Sequence, residues 1–246
     1  MNFLAHHVIA TQYLTPGEPL SAYVLGTALP DLLPLAAERI RLRPERLQAG
    51  TESESALAAG VSVHLATDAA FHKTAAFAEA QAAVSELLAG AGFTQMRVRR
   101  FFVAHVLTEI ALDAALLRAD TTLADRFYDA FTAADFVAAR RWAEAVTGRL
   151  LPDLPAVLTR FAEFQYLREY AGDTGMATGL SNVCRRAGQE TFAGENFTRL
   201  VSVAGAAALL LPAFVQAIFS ETAAGMLQSG GEYAVISAKQ GRGQTL

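Results

Sequence analysis

The stretch Gly60-Val61-Ser62-Val63-His64-Leu65-Ala66-Thr67-Asp68-Ala69-Ala70-Phe71-His72 decides how this chain is read. Its metal-ligand side chains fall at i, i+4 and i+8 in an apolar background, a spacing that lines them up along one face of an α-helix. A second stretch, His105-Val106-Leu107-Thr108-Glu109-Ile110-Ala111-Leu112-Asp113, repeats the spacing. Unpaired imidazoles and carboxylates on a buried face cost on the order of several kcal/mol each, so both stripes demand a partner. A divalent cation would offset that cost. Core histidines and capping carboxylates account for either stripe alone, but less well for two that match.

Residues i and i+8 lie about 12 Å apart along a helix axis, whereas imidazole and carboxylate ligands sit about 2 Å from a metal. One ion therefore cannot take both ends of a stripe. Asp68, midway between His64 and His72, is placed to bridge two ions about 3.5–4 Å apart, the separation of two-metal phosphoryl-transfer sites.

Working outward, the 246 residues are 52% apolar, enough for a sizeable core and against disorder. Alanine and leucine dominate and β-branched alternation is almost absent, which predicts an all-α chain. No composition break divides it, so the expected fold is a single compact multi-helix domain over residues 1–227, with a metal site between facing helices and a flexible Gly/Gln/Ser-rich tail over 228–246. A net charge of −4 gives no general attraction to nucleic acid, and none is expected as a partner. A lone cysteine, Cys184, excludes an internal disulfide and a cysteine-based zinc site. It fits a reducing cytoplasm, as does an N-terminus without the basic region of a signal peptide. Leu200 to Phe219 is apolar enough to raise the question of a membrane span; Pro212, Gln216 and Ser202 favour a Pro-kinked core helix instead.

In chain order, a helix over about Phe3–Leu14 ends at Thr15-Pro16-Gly17-Glu18-Pro19, and another runs to about Gly26. In Gly26-Thr27-Ala28-Leu29-Pro30-Asp31-Leu32-Leu33-Pro34 two prolines bracket an acid, which predicts Asp31 at a rigid turn, as ligand or N-cap. Arg39, Arg41, Arg43 and Arg46 form a positive island, either a solvated face or a docking strip for an anionic substrate or acidic partner. Ser53 or Ser55 is expected to cap the helix of the first stripe. A helix over Thr74–Leu88 stops at Gly90-Ala91-Gly92, and Thr94 is expected to cap the helix of the second stripe, running to about Leu117. Arg97, Arg99 and Arg100 in its first turns oppose the helix dipole and are free to face phosphate or solvent. Further helices are expected over about Leu123–Phe131, Ala134–Val146, Pro155–Tyr170, Thr178–Ala187 and Asn196–Leu227. No histidine follows position 105, which confines the candidate chemistry to the first half.

Met1-Asn2-Phe3-Leu4-Ala5-His6, then Gly26 to Asp31, then Gly60-Val61-x-x-His64-x-x-x-Asp68 resemble the acyl-carrier-protein phosphodiesterase family, a helical offshoot of the HD-type metal phosphohydrolases. The resemblance extends more weakly to Tyr170 and to Gly179-Leu180-x-x-Val183-x-Arg185-Arg186. It implies manganese- or magnesium-assisted removal of phosphopantetheine from an acidic carrier protein, with His6, Asp31, His64 and Asp68 at metal-site positions. Leu65 stands where that family usually has arginine, and His105-x-x-x-Glu109 replaces a later block of aspartates and a histidine. The order of ligands is also similar to that of zinc-dependent phospholipase C, without its N-terminal tryptophan.

The resulting expectation is a metal-dependent hydrolase of phosphoric esters, acting through metal-activated water on a small ester, an acidic carrier protein or a phospholipid. His6, Asp31, His64, Asp68, His72, His105 and Glu109 would hold one to three ions, zinc or manganese first, iron or magnesium after them. Asp68 would be catalytic, with Asp113 as a carboxylate orienting a ligand histidine or ligating directly. Arg39, Arg41, Arg97 and Arg100 would bind substrate. His7 points about 100° away from His6 on a helix, so one of the two should reach the metal, and the resemblance selects His6. The competing expectation is a non-catalytic helical binding or membrane-associated protein in which the stripes pair with arginines in a buried polar network.

Overall fold

The computed structural model describes residues 2–14, 17, 19–93, 99–189 and 192–228. The chain is all-helical, with no strand among these residues. In order the helices are α1 (Phe3–Ala10), α2 (Leu20–Ala36), α3 (Glu52–Phe71), α4 (Ala75–Gly90), α5 (Arg100–Ala119), α6 (Leu123–Thr132), α7 (Phe136–Thr147), α8 (Leu154–Phe164), α9 (Asp173–Arg186), α10 (Gly194–Leu210) and α11 (Pro212–Gln228). Short 3-10 segments cover Thr11–Tyr13, Pro44–Arg46 and Tyr166–Ala171. Where composition suggests one domain, the chain divides into two compact units interleaved in sequence. One holds Met1–Ala5, Phe71–Ala124 and Tyr166–Thr222; the other holds His6–Ala70, Asp125–Gln165 and Ala223–Leu246.

In the second of these units α2 packs on α8, and α8 on α7. Phe127, Phe131 and Phe161 form an aromatic core with Tyr128. Between α2 and α3, Gly26 lies against Gly60: a Cβ on either would come within 2.2 Å of a backbone oxygen of the other helix. Only glycine permits main chains that near, and the crossing brings together whatever stands one turn further along each helix. In the other unit α5 is central, packed by α4, α9, α10 and the Tyr166–Ala171 segment. Its buried face runs through Ala104, Leu107, Ala111 and Leu112.

Several local expectations are corrected. Asp31 is not at a turn: α2 continues through Pro30 and Pro34 to Ala36. Each interior proline removes a hydrogen bond and costs about 3 kcal/mol, which the nearly continuous burial from Ala22 to Leu33 outweighs. The cap of α3 is Thr51 rather than Ser53 or Ser55; its Oγ1 accepts from Glu54 N–H while the Glu54 carboxylate accepts from Thr51 N–H. That is a capping box, written in the sequence as Thr51-x-x-Glu54. The helix ends at Phe71, so His72 leaves the stripe. The Thr74 hydroxyl accepts from Phe77 N–H to begin α4, which stops α3 from running on. The helix expected over Pro155–Tyr170 is broken at Gln165, which has a left-handed φ of 45°. The apolar Leu200–Phe219 run is two helices bent by 62°. No single helix among the described residues is long and apolar enough to cross a membrane, although α10 and α11 taken together meet the length and composition. Thr94, Arg97 and the tail from Ser229 on lie outside the described residues.

Candidate metal centres

The expected ligands fall into two groups, one in each unit. His6, Asp31 and His64 form the first, with one ligand atom from each lying within 4.8 Å of the others. The Gly26–Gly60 crossing builds it: Asp31 stands on α2 and His64 on α3, each about a turn beyond its glycine. His64 Nδ1 donates to the Thr27 carbonyl at 2.8 Å. A carbonyl can only accept, so in the neutral ring Nδ1 carries the hydrogen and Nε2 presents a lone pair. That Nε2 faces Asp31 Oδ1 at 3.8 Å. The His6 ring stacks on His64 at 3.9 Å, and its Nε2 lies 3.8 Å from Asp68 Oδ1. Both imidazoles are buried, whereas Asp31 and Asp68 are 39% and 40% exposed, so the group opens to solvent on its carboxylate side.

Asp68 thus pairs with His6. The i, i+4 part of the stripe survives as His64 and Asp68, and a third helix, α1, supplies the partner. His7 is turned away, its ring edge-on to Phe127. Burial lowers its pKa to about 4, with the Arg126 charge acting in the same direction.

The second group is His72, His105 and Glu109. Glu109 Oε1 lies 3.3 Å from His72 Nε2 and 3.2 Å from His105 Nε2. The two rings are stacked at 5.0 Å. Burial alone would raise the Glu109 pKa, but hydrogen bonds from His105 and His72 are among the interactions that hold it well below the usual carboxylate range. His105 Nδ1 lies 3.0 Å from Gln81 Oε1, on α4. Gln81 was not expected, although a lone amide in the alanine-rich stretch Glu79-Ala80-Gln81-Ala82-Ala83 is the kind of polar residue a buried face tolerates only with a partner.

Asp113, expected to orient a ligand ring, binds main chain instead. Its Oδ2 accepts from Leu4 N–H at 3.1 Å and its Oδ1 from Ala5 N–H at 2.8 Å, at the start of α1. It is a buried cap supplied from another helix. Burial raises its pKa to about 7 against the pull of those two hydrogen bonds. With no exposure at all it cannot meet a substrate.

Of the arginines expected to bind substrate, Arg39 and Arg41 are exposed and alternate with buried Ile40 and Leu42. The positive island follows no single regular element: Arg39 takes a left-handed φ of 57° in a turn, and Arg46 ends the short 3-10 segment Pro44–Arg46. Arg100 is exposed at the first residue of α5. Arg97 lies outside the described residues.

Compared with protein-family models, curated proteins and solved structures, the chain matches none. What the two groups do must be argued from their own chemistry.

Both fit a divalent ion of the zinc or manganese type. Each combines two imidazoles with at least one carboxylate, the donor set such ions favour over calcium. In each, one histidine has its Nδ1–H tied to an oxygen, the usual way a ligating ring is held with Nε2 toward the metal.

Proposed function

We propose that the chain is a metal-dependent hydrolase of phosphoric esters whose centre is His6, Asp31 and His64, with Asp68 beside it. The observation that carries this reading is His64: a main-chain hydrogen bond fixes its tautomer and aims an electron pair at a carboxylate 3.8 Å away. Two electron-rich atoms facing each other need a cation or a proton between them. A divalent ion held there would lower the pKa of water toward neutrality and draw charge from phosphoryl oxygens. His6 and His64 would hold it from the buried side and Asp31 from the open side, where an ester can approach. Asp68 Oδ1, half-exposed, is placed to accept the proton that the attacking water gives up. Asp113 has no part in the chemistry and fixes the first turn of the helix bearing His6. The resemblance noted above favours a phosphodiester as substrate, with an acidic carrier protein or a phospholipid as the larger forms.

The test uses untagged full-length protein loaded with zinc or manganese and assayed on phosphomonoesters, nitrophenyl phosphodiesters, phospholipid vesicles and holo carrier protein. Turnover of at least one class, reduced about 100-fold or more in Asp31→Asn and His64→Ala, is expected. Full activity in either variant would remove this centre from the mechanism. One other reading has an observation behind it: protonated histidines paired with Asp31 and Asp68 would give the same distances in a non-catalytic polar network. A metal-free protein whose melting temperature ignores chelators would establish that alternative.

A further inference from the structure

We infer that His72, His105 and Glu109 form a second zinc-type site, independent of the first and complete within its own unit. The argument is geometric. Tetrahedral zinc with bonds of about 2.0–2.1 Å places its ligand atoms about 3.3–3.4 Å apart. Glu109 Oε1 lies 3.3 Å from His72 Nε2 and 3.2 Å from His105 Nε2, so both carboxylate–imidazole pairs already stand near that spacing, and the three residues' ligand atoms lie within 4.8 Å of one another. The first group is wider at 3.8 Å.

The surroundings hold the rings in place. Gln81 Oε1 can only accept, so His105 Nδ1 carries a hydrogen and its Nε2 is left to face Glu109. Phe77 packs edge-on to both rings, at 5.7 Å from His72 and 5.2 Å from His105. Phe71 closes on His72 at 5.1 Å, and Phe101 covers the outer face of His105 at 6.4 Å. Rings packed in this way limit the rotation of both imidazoles. The side chains of His72 and His105 remain about a third and a quarter exposed, so an ion can enter. Three protein donors are one fewer than zinc usually takes, which leaves a position for water or an exogenous anion.

This inference does not rest on the hydrolase reading, and one experiment separates them. Untagged full-length protein is titrated with zinc, and with cobalt as a spectroscopic probe, alongside His72→Ala, His105→Ala and His64→Ala. Each variant is first checked for native helix content. With two ions bound by the wild type, His72→Ala and His105→Ala are each expected to lose one zinc equivalent together with this site's tetrahedral cobalt band, whereas His64→Ala loses the other equivalent and keeps that band. A single ion bound by the wild type, lost in His72→Ala and His105→Ala but kept in His64→Ala, supports this site and sinks the hydrolase centre. Unchanged stoichiometry and band in His72→Ala and His105→Ala overturns the proposal. Gln81→Leu, which leaves every donor in place, should weaken zinc about 10–100-fold. Unaltered zinc affinity there would remove Gln81 from the site.

Discussion

Asp113 shows at a single residue how burial and hydrogen bonding compete. Its carboxyl group is wholly enclosed, yet both oxygens are occupied by N–H groups that open α1. The first N–H groups of a helix have no partner within the helix, and a buried donor left unmatched costs about 1–3 kcal/mol. Asp113→Ala strands two of them, so a loss of about 2–5 kcal/mol is expected by urea unfolding. A loss below about 1 kcal/mol would mean water replaces the carboxylate. The sequence marked Asp113 as a buried acid in a polar stripe but assigned it the wrong partner. Its role is set by a contact 109 residues away, and residue spacing carries no trace of that. Gln81 was legible to the same degree: an amide among alanines announces a partner without naming it.

At the scale of the helix, the decisive feature is the pair of glycines where α2 crosses α3. Alanine is the better helix former by about 1 kcal/mol, so Gly60→Ala would stabilise an isolated helix. Here the added methyl meets the Tyr23 carbonyl oxygen at 2.2 Å, and two main chains must part to make room. Overpacking of that kind costs about 1–3 kcal/mol or more, so the net effect should be destabilising. Separating the helices also draws Asp31 from His64, so Gly60→Ala should weaken metal binding at that centre more than at His72, His105 and Glu109. Thermal melts with and without zinc measure both effects; a more stable variant with intact binding would show that the helices are not in tight contact. Helical class, most helix positions and the i, i+4 spacing were all readable from apolar periodicity. The end of α3 was not, because neither glycine nor proline marks it. Thr74, read from the sequence as the first residue of the next helix, is its cap, and that cap stops α3 before His72.

For the molecule as a whole, the buried titrating groups oppose one another in the acidic range. Asp113 goes from 3.8 unfolded to about 7 folded, so the native state holds its proton longer. Its contribution to stability falls as pH rises across that window. His7 goes from 6.5 to about 4, so the unfolded state binds the proton first, and its contribution falls as pH drops from 6.5 toward 4. Glu109, held below its ordinary value of 4.5, adds stability that is lost only in stronger acid. Between pH 4 and 6.5 the first two slopes have opposite signs and flatten the profile. Asp113→Asn should unmask the histidine, giving stability that climbs more steeply with pH than in wild type. Parallel profiles for the two proteins would show that Asp113 is ionised throughout. The division into two interleaved units could not be read from composition, because both are built from the same alanine- and leucine-rich helices. The units also differ in how replaceable their outer supports are. His64 takes its direction from the carbonyl of residue 27, which every amino acid possesses, so substitution at that position leaves the ring's anchor in place wherever the helix survives. His105 leans on the side chain of Gln81, and a single base change could remove it. Under random mutagenesis the first centre should keep its ring orientation while the second drifts, a difference in robustness that arises from main chain against side chain.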